Sequence, residues 1–200
     1  MMESQVPHLR ADANENREQI LISARTIFSE RGLDVGMREI ARQANVGPAT
    51  LYRRFPTKQA LIDEAFSIEL RECRQIVCDG CENVNPWLGF VSAVERLIAL
   101  NVQNRGFVDA YTSTTSASEL IAAHRRELLR MLAGLARRAQ KMGSLRPDFR
   151  MFDLTLVLRA ARGLAHGDRA TRESAGERFA ELAIDAFLVR GDSTSRRREV

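Results

Sequence analysis

Two prolines, Pro48 and Pro56, bracket the stretch VGPATLYRRFPTK and limit what it can become. Proline has no backbone N–H to donate, and its ring clashes with the preceding turn, so neither can stand inside a helix. Pro48 is comfortable at a first helical position, where no donor is required. Pro56 ends the helix at Phe55, because a residue before proline avoids the α region. Only a short helix fits between them. Just upstream, Asn45-Val46-Gly47 reads as a tight turn, since asparagine tolerates positive φ. Met37 to Ala44 forms a second short helix that buries Ile40 and Ala41. Two short helices about a three-residue turn make a helix-turn-helix.

Helical spacing dominates elsewhere. Ile20, Leu21, Ala24, Ile27 and Phe28 follow the spacing of one apolar helix face, and Gly32 stops that helix. Thr57 caps a fourth, longer helix that runs through Leu61, Ile62, Ala65, Phe66 and Leu70 toward Cys78. Further helices are expected near 86–104, 107–115, 117–142, 150–166 and 172–190. Breaks are expected at Asp79-Gly80, Gly106, Gly143 to Pro147 and Gly167-Asp168. No alternating strand run appears. The predicted fold is all-α, with about nine helices: a three-helix helix-turn-helix domain over 15–60, then a helical domain over 61–190. The polar ends, 1–14 and 191–200, are expected to be disordered.

Composition narrows the function classes. With 44% hydrophobic and 28% charged residues, the chain has the balance of an ordinary soluble protein. Its polar start is unlike a signal peptide, and no apolar run approaches the ~18 residues of a membrane helix, so the cytoplasm is the expected location. The net charge of +4 is unevenly placed. Residues 37 to 58 carry Arg38, Arg42, Arg53, Arg54 and Lys58 against Glu39 alone, whereas residues 61 to 122 carry a net of −5. No GxSxG, HExxH, GxGxxG or P-loop pattern occurs, which argues against an enzyme, and no cofactor or metal is implied.

The basic stretch has a chemical logic. Leu51 and Phe55 share one helix face, turned toward Ile40 and Ile27. Ala49, Tyr52 and Arg53 are left on the outward face. Small Ala49 lets the helix approach base edges, and Arg53 can pair with guanine O6 and N7. Thr50, Tyr52 and Arg54 suit phosphate oxygens. Lys58 falls in a first helical turn, where the macrodipole favours acids; beside the Thr57 cap it makes sense if a phosphate docks there. The plainer alternative is a solvated arginine-rich helix within a bundle.

The run REIARQANVGPATLYRRFPTKQAL, Arg38 to Leu61, resembles the DNA-binding segment of the tetracycline-repressor (TetR) family of bacterial regulators. Ile40-Ala41, Ala44, Val46, Thr50-Leu51-Tyr52, Phe55, Lys58 and Leu61 carry the likeness, which extends back over the Ile20 to Phe28 helix. The resemblance implies DNA-contacting roles for Arg38, Thr50, Tyr52 and Lys58, with Pro48 and Arg53 at base-reading positions. The family often has Thr where Gly36 stands, Gly at Asn45, Ser or Thr at Gly47, and His at Arg54. Lost hydroxyls at 36 and 47 remove one expected phosphate contact and one expected cap. The segment RRAQKMGSLRPDFRMFDLTLVL is similar to a subgroup called SbtR-like. What the resemblance implies is a homodimeric, ligand-responsive repressor that binds a palindromic double-stranded operator and answers to a small-molecule effector.

The larger C-terminal part would then bind the effector and dimerise. Phe66, Leu70, Trp87, Phe90, Val94, Leu128 and Met131 supply a candidate apolar lining, with Tyr111 and His124 as polar handles. Small residues, Ala160, Gly163 and Gly167, would let a second helix carrying Phe179, Leu182, Ala183, Ala186 and Phe187 come close in a dimer bundle. Plain core packing is the competing explanation for both sets. Cys73, Cys78 and Cys81 offer a thiol- or metal-sensing alternative, although a lone CxxC lacks a second ligand pair.

Overall fold

A computed structural model of the chain describes residues 6–112, 118–165 and 167–189. Among these the elements are helical: α1 (Val6–Arg31), α2 (Met37–Gln43), α3 (Pro48–Arg54), α4 (Lys58–Ala65), α5 (Ser67–Glu82), α6 (Pro86–Gln103), α7 (Arg105–Thr112), α8 (Glu119–Lys141), α9 (Met151–Ala161) and α10 (Arg169–Phe187). A 3-10 turn, Arg162–Leu164, follows α9. The only β-type pairing among the described residues outside helices is a bridge between Leu145 and Leu188. The all-α expectation holds.

The chain divides into two compact units, residues 1–70 with 104–123, and residues 71–103 with 124–200. This differs from a boundary at residue 60. In the first unit α1 is the hub, packed against α2, α4 and α7. Phe66 meets Phe28 on one side and Phe107 on the other, with ring centroids 5.9 and 5.8 Å apart. That aromatic row draws α7 and the start of α5 into the DNA-binding unit. In the second unit α6 buries Phe90, Ala93, Val94, Leu97 and Ile98, and it packs chiefly on α10. There Gly176, Ala180, Ala183 and Phe187 form the buried seam.

Several element boundaries depart from expectation. α1 begins at Val6, inside the segment expected to be disordered; its alanine, arginine and glutamate residues favour helix without needing an apolar face. The expected 191–200 tail lies outside the described residues. The long fourth helix is broken at Phe66, whose φ of −99° and ψ of 13° leave the helical basin. Arg25 occupies the carbonyl of Ala65 at 2.5 Å, which caps the end of α4. The break makes ten helices where about nine were expected. Conversely, Gly80 does not end its helix, which runs on to Glu82. Gly80 and Gly89 instead let α5 and α6 touch backbone to backbone. Gly106 likewise sits within α7, against the backbone of Phe28. These glycines mark close approach rather than chain breaks. α10 starts earlier than expected, at Arg169, because the Asp168 side chain accepts from the Thr171 N–H at 2.8 Å. That backbone N–H is also the main reason the Asp168 carboxyl lies below the usual carboxylate range.

A methyl group at residue 89 would overlap the Gly80 carbonyl oxygen, whereas one at Gly134 has only the mobile end of Arg137 within reach, at 4.0 Å. Gly89→Ala is therefore expected to destabilise the chain by ~1–3 kcal/mol. Gly134→Ala should stabilise it by ~0.5–1 kcal/mol, since glycine is costly in a helix interior. Urea unfolding of both variants checks the pair.

Candidate nucleic-acid interface

The helix-turn-helix forms where the sequence places it. Asn45 takes φ 54° in the turn, and the Val46 N–H donates to the Ala41 carbonyl at 2.9 Å. Pro48 occupies the first turn of α3. Gly36 and Gly47 stand at the N-caps of α2 and α3 with no side-chain cap, so the hydroxyls absent there are not replaced.

Burial orients α3. Leu51 and Phe55 are 0% and 1% exposed and Ile40 is 0%, in the same core as Ile27. Pro48, Ala49, Tyr52, Arg53 and Arg54 are left exposed, and Thr50 is half-buried. Tyr52 keeps 47% of its surface in solvent, so it is not absorbed into the core. Arg53 lies back along its own helix, with Nε donating to the Ala49 carbonyl at 3.2 Å and Nη2 to Thr50 Oγ1 at 3.5 Å. To reach a base edge it must leave these weak, exposed contacts. Arg38 is exposed on α2.

The start of α4 completes the surface. Thr57 Oγ1 accepts from the Ala60 N–H at 3.1 Å, and Lys58 follows as the first helical residue, with no acid in that turn. The remaining free N–H groups and the lysine together favour an anion. Arg17 of α1 fixes this helix. Its Nε donates to Glu64 Oε1 at 2.8 Å and its Nη2 to Glu64 Oε2, while its guanidinium lies 5.0 Å over the Phe55 ring. One side chain thus ties α1 to α4 and to the end of α3. Sequence reasoning missed Arg17, Glu64 and Arg25; partners this far apart in the chain leave no periodic signal. Glu39 was legible as the lone acid of the basic stretch, and it pairs with Arg31 and, at 3.6 Å, with Arg42.

The other predicted sites are distributed between the units. Phe66, Leu70 and Tyr111 belong to the first; Trp87, Phe90, Val94, His124, Leu128 and Met131 belong to the second. Tyr111 lies tilted against Phe107, with ring centroids 5.4 Å apart. Phe90 is fully buried and is ringed by Trp87, Phe149 and Phe187 at 6.1, 5.5 and 6.2 Å. Those contacts make Phe90 a core residue. A groove of about 490 Å³ in the second unit is lined by other residues, with Val102 and Ala180 on its floor and Glu95 and Glu177 on its rim.

The dimer candidates also divide. Ala160, Gly163, Gly167, Leu182 and Ala186 are exposed, and Phe179 is half-buried. Ala183 and Phe187 are only 6% and 3% exposed. Both lie in the buried seam of α10, where Phe187 meets Phe90 of α6. Among the cysteines, Cys73 is buried and Cys78 and Cys81 half-buried. Burial pushes the Cys81 thiol up, the reverse of what a reactive thiolate needs. Among the described residues no group of three or more histidine, cysteine or acidic side chains could hold a metal ion. Nor is any described helix long and apolar enough to cross a membrane.

Residues 20–65 match the family model described as "Bacterial regulatory proteins, tetR family". Over this segment the chain is similar to the DNA-binding domain of the TetR family. An HTH-type transcriptional regulator of Staphylococcus aureus is 41% identical over 54 residues, which cover 26% of this chain and 29% of that relative. The likeness to this curated relative is thus confined to less than a third of its length. A TetR transcriptional regulator of Streptomyces coelicolor has a TM-score of 0.57 and 29% identity, over 88% of this chain and 99% of its own. A TetR transcription regulatory protein of Mycobacterium vanbaalenii has a TM-score of 0.52 and 28% identity, over 90% and 99%. The TetR-type fold therefore extends across both units. These matches do not bear on the SbtR-like resemblance.

Replacing Thr57 removes the one side-chain cap of α4. Thr57→Ala is expected to cost ~1 kcal/mol of stability, seen as a lower urea midpoint with an unchanged slope. It should also weaken DNA binding, because the loosened first turn carries Lys58.

Proposed function

We propose that this protein is a sequence-specific transcriptional regulator, a ligand-responsive repressor that binds a palindromic operator as a homodimer. The observation that carries this reading is the outward face of α3. Ala49, Tyr52 and Arg53 are exposed there, while Leu51 and Phe55 anchor the opposite face. In a helix-turn-helix the second helix enters the major groove and the first crosses the backbone. Arg53 then reads a base, and Arg38, Thr50, Tyr52, Arg54 and Lys58 hold phosphates. An enzyme would need a cluster of catalytic groups in place of this basic, outward-facing helix.

What supports a dimer is a set of large apolar side chains left exposed on α9 and α10 of the second unit. Phe152 and Leu156 on α9 are 63% and 48% exposed, and Leu182 on α10 is 52% exposed. Exposed large apolar side chains commonly mark an interface when they cluster. A two-fold dimer reads an inverted repeat, with half-sites one or more helical turns apart. The effector would act by favouring a spacing of the two α3 helices that no longer fits successive grooves. A coupling of ~1–3 kcal/mol is enough to release the operator.

A gel-shift assay on the DNA flanking this protein's own coding region tests the reading. Arg53→Ala should weaken operator binding by ~1–3 kcal/mol and blur one base position. Lys58→Ala should weaken all duplexes nearly alike and flatten the salt dependence. Unchanged affinity in both variants rules out the proposed surface.

Leu182→Asp places a charge on the exposed side of α10 without touching the buried seam. Sedimentation should show a monomer in place of a dimer at micromolar concentration, together with lost operator binding. A wild-type chain that is itself monomeric there contradicts the dimer.

A further inference from the structure

The basic stretch from residue 37 to residue 58 holds one carboxylate, Glu39, and that carboxylate is engaged twice. Glu39 Oε1 pairs with Arg31 Nη1 at the end of α1, and the same oxygen lies 3.6 Å from Arg42 Nη2 on α2. Its side chain is 33% exposed, against 58% for Arg31 and 81% for Arg42. Nothing in the packing of α2 requires an acid there, because Met37, Ile40 and Ala41 supply its buried face. An exposed ion pair contributes little to stability. Placed among cations, however, a carboxylate competes with any phosphate that approaches them.

We propose that Glu39 is an internal competitor of DNA phosphate: by holding Arg31 and Arg42 it limits how many cations the helix-turn-helix can lend to a duplex. This inference rests on the DNA-binding function proposed above. Arg42 is the partner most affected, since its guanidinium is the more exposed and its contact with Glu39 the looser. It stands one turn after Arg38 on α2, the helix that crosses the backbone in this motif. Each arginine that neutralises a phosphate releases counterions, so the observed affinity depends on salt with a slope of about −0.9 per contact. A chain in which Glu39 withholds one or two such contacts binds non-operator DNA more weakly and less salt-dependently than its arginine content implies. That restraint leaves Arg53 and the base edges a larger share in the choice of site.

The test uses the full chain and two duplexes, one carrying the operator and one of scrambled sequence, with affinity measured across a salt series. Glu39→Gln keeps the hydrogen-bonding shape and removes the charge. It should tighten binding to the scrambled duplex roughly three- to tenfold near 0.1 M salt and steepen the slope by about 0.9 to 1.8 per protomer. Glu177→Gln, the same charge change on the second unit, should leave both unchanged. The decisive readout is coupling. Arg42→Ala should cost little in the wild type but several-fold in the Glu39→Gln background, because only there does no carboxylate compete with phosphate for Arg42. If Glu39→Gln does not differ from Glu177→Gln, or if the effects of Glu39→Gln and Arg42→Ala simply multiply, the proposal is wrong while the DNA-binding reading stands. If the wild type retains neither duplex at any salt, both are wrong. Helical circular dichroism verifies folding, and Glu39→Ala provides a second variant with the same expected outcome.

Discussion

The burial of Leu51 and Phe55 is the constraint on which the recognition surface depends. They stand one turn apart on α3 and are 0% and 1% exposed. Removing two such side chains from water contributes ~1.5–3 kcal/mol each, far more than any contact on the outward face. Because a helix has one rotational setting that buries both, the direction of Ala49, Tyr52 and Arg53 follows from the core. These outward residues need make no contribution to folding. Under the proposed function they are free to be chosen for recognition.

A recognition helix is useful only if its phosphate anchors are fixed relative to it. Arg17 does this in one step, pairing with Glu64 of α4 while covering the ring of Phe55. Arg25 does the same at the other end of α4, through the carbonyl of Ala65. Both arginines project from α1, so α1 serves as the frame against which α3 and the Lys58 end of α4 are set. The chain leaves the helical basin at Phe66, immediately after that second anchor. α4 is therefore a short, doubly pinned helix of the DNA-binding unit rather than the first half of a long rod.

Much of the first unit was legible because local signals agreed. Pro48, Asn45, Thr57 and the Leu51–Phe55 spacing each specify a backbone state without help from distant residues, and the structure follows every one of them. The misses have a common cause in tertiary contact. Gly80 and Gly106 resemble stop signals in sequence, yet they lie inside helices because another backbone needs their room. Ala183 and Phe187, candidates for a dimer bundle or for plain core packing by spacing, lie in the buried seam of α10. Phe66 fits a continuous helix by spacing, and it took a capping arginine forty residues upstream to end α4 beside it. Periodicity identifies which residues are buried; it does not identify the element that buries them.

Selection from a pool of random duplexes is the most direct test of the central claim that α3 presents a base-reading face fixed by Leu51 and Phe55. The full chain is incubated with the pool at moderate salt, retained DNA is amplified, and the enriched sequences are compared after several rounds. The account predicts a short inverted repeat, its half-sites centred one or more helical turns apart. Retained DNA with no shared sequence would mean that the basic surface binds phosphate alone, and would contradict it.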